Sequence, residues 1–282
     1  MEQMPERKEE SNIPGAALVG NMWNYALTVL YPSMALREMG LYNPEHIGVR
    51  PPPPTRPGLG AHYSRLYPLP VLLEDRPQRY DLVEEFDRIS REYERFTKPF
   101  SAPIFEETRK VMQTYLTPEM RLLDPSCGAG TEATTLATLV PQGEVVAADL
   151  AAEMVQTTFE NARRSGIANM AFFQADVARL PEHFAGMFDL IFCSLAFHHY
   201  PEPAATVAEM YRVLRPGGYA FIADPGPDWY KRLSEWIAQW ADPGWIGFHN
   251  GSEFGARFAA AGFSQYYWEE LLPGIGLVIA LK

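Results

Sequence analysis

RLLDPSCGAGTEATTLATLVPQGEVVAAD, residues 121–149, is the stretch whose reading decides the fold. Residues 121–124 read as a short buried strand ending on an acid, Asp124. The loop Pro125-Ser126-Cys127-Gly128-Ala129-Gly130 follows at once, a helix opens at Thr131, and residues 144–149 read as a second strand ending on an acid, Asp149. That is a βαβ unit with a glycine loop at its first turn. Side chains at Gly128 and Gly130 would hold the backbone away from a ligand. The helix start offers N–H groups and the positive end of a dipole at the same place. Asp149 comes nineteen residues after Gly130, where a carboxylate can reach both hydroxyls of a ribose. The unit is expected to bind a nucleoside.

Gly128-x-Gly130-x-x-Ala133 also fits a dinucleotide fingerprint, so the loop alone leaves an NAD-dependent oxidoreductase open. Asp124 favours another ligand. A pyrophosphate is anionic and would be repelled by it, whereas S-adenosylmethionine carries an ammonium and a sulfonium. The order acid, Gly-x-Gly, acid resembles the class I S-adenosylmethionine-dependent methyltransferases. Ser126 stands where that family often has a further glycine.

The chain has 282 residues, 47% of them hydrophobic, enough for one large domain or a domain with an appendage. A net charge of −11 argues against a nucleic-acid backbone as partner. Cys127 and Cys193 have neither metal-type spacing nor the look of a disulfide framework, which fits a reducing, cytoplasmic setting. The opening MEQMPERKEE is mixed and acidic, unlike a signal-peptide start. Residues 15–36 carry no charge, yet Asn21, Asn24 and Pro32 interrupt them, so a helix that covers the site or joins two subunits into a homo-oligomer is expected rather than a membrane span. Residues 50–57, RPPPPTRP, read as a stiff spacer; an SH3-type ligand is the alternative.

Beyond residue 80 the elements follow in order. Phe86, Ile89, Tyr93 and Phe96 lie at helical spacing, and Ser101 with Pro103 suggests the start of a second helix. FDRISREYERFTKPFS (86–101), AEMYRVLRPGGYAFIAD (208–224) and ELLPGIGLVIALK (270–282) resemble the quinone-biosynthesis C-methyltransferases. The likeness covers residues 86–282 and implies an α/β, Rossmann-like, seven-stranded, mostly parallel sheet with helices on both faces and a terminal antiparallel hairpin. Residues 1–81 would be an N-terminal helical or irregular arm, a lid or oligomerisation element, and 82–282 the domain that binds S-adenosyl-L-methionine. The cofactor contacts so implied are Tyr93, Asp124, Gly128, Gly130, Asp149, Leu150, Met154, Asp176, Val177 and Ser194. Met154 would pack on the adenine, with Asp176 and the Val177 N–H reading its edge. Ordinary packing is the competing role for Tyr93 and Met154, and a surface carboxylate for Asp176.

His198 and His199 follow the fourth strand, where an acceptor should meet the methyl group, and imidazole titrates near working pH. They are the candidate bases; the alternative is that they only shape the pocket. The quinone enzymes carry Arg-Asn here, which weakens a quinone acceptor and leaves methyl transfer intact. No Asn/Asp-Pro-Pro-Tyr run follows the strand, against methylation of planar amides or polymer bases. A small, hydrophobic or aromatic molecule is the expected substrate. A non-catalytic relative that keeps the fold as a binding module is the further alternative.

Overall fold

A computed structural model describes residues 35, 38–40, 44–74, 81–226 and 245–282. The uncharged run 15–36, apart from Ala35, and residues 229–240, whose sequence reads as amphipathic, therefore fall outside the described residues. In the helix that starts at residue 81, the side chains of Ile89, Tyr93 and Phe96 do as well.

The described chain runs β1 (His46–Gly48), α1 (Tyr63–Leu66), α2 (Asp81–Met112), β2 (Arg121–Asp124), α3 (Thr131–Leu139), β3 (Glu144–Asp149), α4 (Ala152–Arg164) and β4 (Met170–Gln174). It continues with β5 (Phe188–Ser194), a 3-10 turn (Phe197–His199), α5 (Pro203–Val213), β6 (Leu214–Pro225), α6 (Gly251–Ala261), β7 (Gln265–Leu272) and β8 (Ile275–Leu281). The strands form one sheet in the order β1-β7-β8-β6-β5-β2-β3-β4. β6, β5, β2, β3 and β4 are parallel, and β8, β7 and β1 add antiparallel pairings. The chain leaves β2 toward β3 and β4, then returns to β5 on the other side of β2. That reversal is the switch point at which open α/β sheets leave a crevice beyond their carboxyl ends.

Both faces of the sheet are covered, so its inner strands read as continuous apolar runs rather than alternations. Successive residues go to opposite layers. Leu122, Val145 and Phe192 pack with Ile104 and Met112 of α2, Leu136 of α3 and Val155 of α4. Leu123, Val146 and Cys193 pack with Tyr63 of α1, Val207 and Met210 of α5 and Phe258 of α6. No helix among the described residues is long and apolar enough to cross a membrane.

Three features differ from the sequence expectation. First, the sheet has an eighth strand. β1 comes from the N-terminal arm and pairs with β7, His46 opposite Glu269. Second, the two helices expected over 80–116 are one, α2, which runs through Pro99 and Pro103. A proline costs a helix interior about 3 kcal/mol, but Phe100, Ile104 and Met112 are buried in the core on this helix and hold it together. Third, Arg215-Pro-Gly-Gly, whose sequence reads as a turn before a strand at Tyr219, lies inside β6, which begins at Leu214 and shifts register between Phe188 and Leu190.

Residues 50–57, expected as a spacer, lie on the domain instead. The hydroxyls of Tyr115 and Tyr219 donate to the carbonyls of Pro51 and Pro52, both at 2.6 Å. Leu59 N–H then donates to Asp189 at 2.8 Å. The N–H groups of His62, Tyr63 and Ser64, at the start of α1, all donate to the Glu144 carboxylate. Val71 finally bridges to Phe173 of β4. This strap thus runs from the β7 edge beneath the amino ends of the strands to the β4 edge. A short strand and a single bridge are an economical cover for two edges that would otherwise present unpaired backbone.

Candidate active site

The carboxyl ends of the five parallel strands deliver one polar residue after another to the crevice. Asp124 ends β2, Asp149 ends β3, Asp176 follows β4, Ser194 ends β5 and Asp224 lies near the end of β6. The glycine loop sits between the first two. Gly128 has φ 53° and Gly130 φ 81°, the left-handed region where a side chain is strained. A Cβ on Gly130 would also lie 2.4 Å from the methyl of Thr158 on α4. The loop is braced from that helix: Thr158 Oγ1 donates to the Gly128 carbonyl at 2.7 Å and Asn161 to that of Ala129 at 2.8 Å.

Asp149 ties the loop to the next strand. Its Oδ2 accepts from Gly128 N–H at 2.9 Å and its Oδ1 from Ala151 N–H at 3.0 Å. Each oxygen keeps a second lone pair for a ligand hydroxyl. Burial pushes this carboxyl up to about 6, against the backbone donors that stabilise its charge. Asp124 is more extreme. It is buried, accepts a long 3.3 Å bond from Ser126 N–H, and has the acids Asp149 and Glu132 as its charged neighbours. Burial, then these like charges, hold its carboxyl well above the usual carboxylate range. A ligand cation beside it would relieve that strain; an anion would add to it.

The other expected contacts are placed as follows. Met154 is buried with Val83 of α2 and Ala151, and Phe86 and Leu150 pack against the same group. Asp176 closes its own turn, accepting from Ala178 N–H at 2.9 Å, and Val177 is buried beside it. The Ser194 hydroxyl is shielded from solvent, and none of the described residues partners it. The side chain of Tyr93 is outside the described set.

At the β5 end the chain turns sharply. Leu195 has φ 54°, a costly value for a side-chain-bearing residue, and it throws the turn of Phe197–His199 over the crevice. The two histidines part company here. His198 is buried, its Nδ1 lying 3.0 and 3.1 Å from the two oxygens of Asp224, itself buried. Trp245 stacks on the ring at 5.0 Å. His199 lies more open, with Phe86 of α2 edge-on at 5.7 Å. Through Phe86, α2 thus spans from Leu150 and Met154 to the histidine pair. Tyr200 links the two sides of the crevice: its hydroxyl is 2.5 Å from Ser126 Oγ of the glycine loop and 3.3 Å from Cys193 Sγ of β5.

Sequence reasoning missed Asp224, Leu195 and Tyr200. Asp224 had a signal, since it is an acid at a strand end as Asp124 and Asp149 are. Nothing local announces the strain at Leu195.

A family model described as a methyltransferase domain matches residues 116–254. Residues 116–254 are thus a methyltransferase domain, and the fold is that of the class I S-adenosylmethionine-dependent enzymes. The bare loop, the Asp149 carboxylate and Asp124 with its acidic neighbours fit the ribose and cationic end of S-adenosylmethionine. The domain is 31% identical over 152 residues to the nocamycin O-methyltransferase of Saccharothrix syringae, covering 54% of this chain and 52% of that protein. It is 32% identical over 107 residues to the demethylmenaquinone methyltransferase of Deinococcus radiodurans, covering 38% and 44%. Among solved structures, a methyltransferase from Aquifex aeolicus superposes with TM-score 0.54 at 22% identity, over 72% of this chain and 99% of that one, a likeness of fold. The two relatives are matched over only about half of their own lengths. The quinone-enzyme likeness of the sequence thus has a counterpart among the relatives, beside an enzyme of a different substrate.

Proposed function

We propose that this chain transfers the methyl group of S-adenosylmethionine to a small, hydrophobic or aromatic acceptor. One observation carries the reading: the glycine loop, tied to Asp149, sits beside a buried acid, Asp124, whose charged neighbours among the described residues are the acids Asp149 and Glu132. In this reading Asp149 holds the ribose hydroxyls, the backbone at Gly128 and Gly130 lies against the cofactor, and Asp124 faces its ammonium. Asp176 and Val177 meet the adenine edge, Leu150 and Met154 its face, and Tyr93 belongs to the covering helix. Ser194 lies on the path between cofactor and acceptor. The cofactor supplies a methyl group already activated by a cationic sulfur. The protein's part is alignment and the exclusion of water, for which α2, Trp245 and Phe248 form the cover. His198 and His199 stand on the acceptor side.

Asp149→Ala tests the reading. Two charge-assisted hydrogen bonds are lost, so the affinity for S-adenosylhomocysteine in a calorimetric titration should fall by about 100-fold. Unchanged affinity would remove Asp149 from the site.

A further inference from the structure

We propose that His198 and Asp224 form a proton-accepting pair, and that the acceptor is a planar, weakly acidic hydroxyl compound of the phenol or enol type. The proposal rests on the methyl-transfer reading above and adds the substrate class and the atom that takes the proton.

The geometry begins with Asp224. Its two oxygens lie 3.0 and 3.1 Å from His198 Nδ1, and both side chains are buried. A carboxylate can only accept, so Nδ1 must donate, and in the neutral ring the lone pair is then on Nε2. A base is what that tautomer provides. The arrangement is the one by which a buried carboxylate fixes a catalytic imidazole and opposes the charge it acquires. His198 is also held through its backbone, whose carbonyl accepts from Ile246 N–H at 3.0 Å. Asp224 sits in the interior of the sheet, paired opposite Gly276 of β8, so the carboxylate that aims the ring is fixed in a rigid element. The His199 ring meets Phe86 at 5.7 Å and His198 at 4.0 Å between ring centres.

A base of this kind is needed only where the attacking atom must lose a proton. An amine with a lone pair attacks a sulfonium methyl without one, whereas a hydroxyl is a poor nucleophile until its proton leaves. Phe86 meets the His199 ring and Trp245 stacks on that of His198, with Phe248 packed on Trp245 at 3.8 Å between ring centres. They suit a planar acceptor. The hydroxyl proton passes to His198 Nε2 as an oxygen electron pair forms the bond to the methyl carbon. The carbon–sulfur pair stays with sulfur, leaving a neutral thioether. The imidazolium, opposed by Asp224, afterwards gives its proton to water. His198 is thus the catalytic base and Asp224 its positioning residue.

The test uses the full chain, with His198→Ala, Asp224→Asn and Asp224→Glu. Nitrogen-15 spectra of the cofactor-free protein should show the His198 ring protonated at Nδ1, and Asp224→Asn should move it toward the Nε2–H form. Turnover is then measured with S-adenosylmethionine and a series of 4-substituted phenols. 4-Methoxyphenol, protonated at neutral pH, should lose about 100- to 10,000-fold in His198→Ala and Asp224→Asn. 4-Nitrophenol, largely ionised already, should lose little, and Asp224→Glu should restore part of the 4-methoxyphenol rate. S-adenosylhomocysteine should bind every variant as it binds the parent. Equal loss across the phenols, or an unmoved tautomer, would overturn the pair. Normal S-adenosylhomocysteine binding by a parent chain that methylates no phenol would overturn the acceptor class. Absence of S-adenosylhomocysteine binding by the parent would overturn the methyl-transfer reading beneath both.

Discussion

The two edges of the sheet are built from the same kinds of residue and treat them oppositely. At the amino edge, Glu144 accepts from three backbone N–H groups of the strap and lies 3.7 Å from Arg121. Asp189 accepts from the N–H groups of Leu59 and Arg121 and pairs with Arg215 at 2.7 Å. At the carboxyl edge, Asp124 has one long hydrogen bond and acidic neighbours, Asp149 is held well above its ordinary range, and the Ser194 hydroxyl is buried without a partner among the described residues. Leu195 adds backbone strain. Buried acids that are fully partnered hold a fold together; buried acids left short of partners cost stability until a ligand completes them. The strap belongs to the first edge and the proposed cofactor site to the second.

The contrast is broken most directly by moving charge at each edge. Glu144→Ala strands three backbone donors and removes the nearest acid from Arg121, so it should destabilise the chain by about 3–5 kcal/mol in urea denaturation. The affinity of the folded fraction for S-adenosylhomocysteine should not change. Asp124→Asn should do the reverse. The native chain keeps a proton on Asp124 that the unfolded chain releases at an ordinary carboxylate pKa, so native stability falls as pH rises between those two values. An amide never ionises, and Asp124→Asn should therefore stabilise the cofactor-free chain above the ordinary carboxylate range while weakening cofactor binding. Loss of stability in that variant would put Asp124 in the same class as Glu144.

The contrast also explains what could be read from sequence. Residues 121–149 gave their elements correctly because each signal was local: short apolar runs ending on acids, with glycines between them. The elements observed are Arg121–Asp124, Thr131–Leu139 and Glu144–Asp149. The strap was opaque because its partners are distant. His46 pairs with Glu269, and Tyr63 N–H finds Glu144; three exposed residues carry no periodic pattern that would announce a strand. The continuity of α2 through two prolines comes from tertiary packing, which overrides local preference. The histidine pair was visible, but that His198 meets Asp224 depends on the pairing of β5 with β6.

Two smaller effects sharpen the picture of the carboxyl edge. Because burial holds Asp149 at about 6, its carboxylate is formed above that pH and is lost as pH falls through it. Affinity for S-adenosylhomocysteine should be flat in this respect above neutrality and drop by about tenfold for each pH unit well below 6; a flat profile down to acid pH would separate Asp149 from the ribose. Tyr200→Phe removes the bonds to Ser126 and Cys193 and should cost about 1 kcal/mol, read as a roughly fivefold loss of cofactor affinity. A change confined to thermal stability would make Tyr200 a brace of the core alone.

The most direct test of the central claim, that the carboxyl edge holds its acids short of partners for a cationic nucleoside, is a calorimetric titration in buffers of different ionisation enthalpy at neutral pH. S-adenosylhomocysteine should bind with release of protons, because its ammonium opposes the burial that holds the Asp124 carboxyl above its ordinary range, and NAD should give no heat of binding. Binding of NAD, or binding of S-adenosylhomocysteine with no proton released, would contradict it.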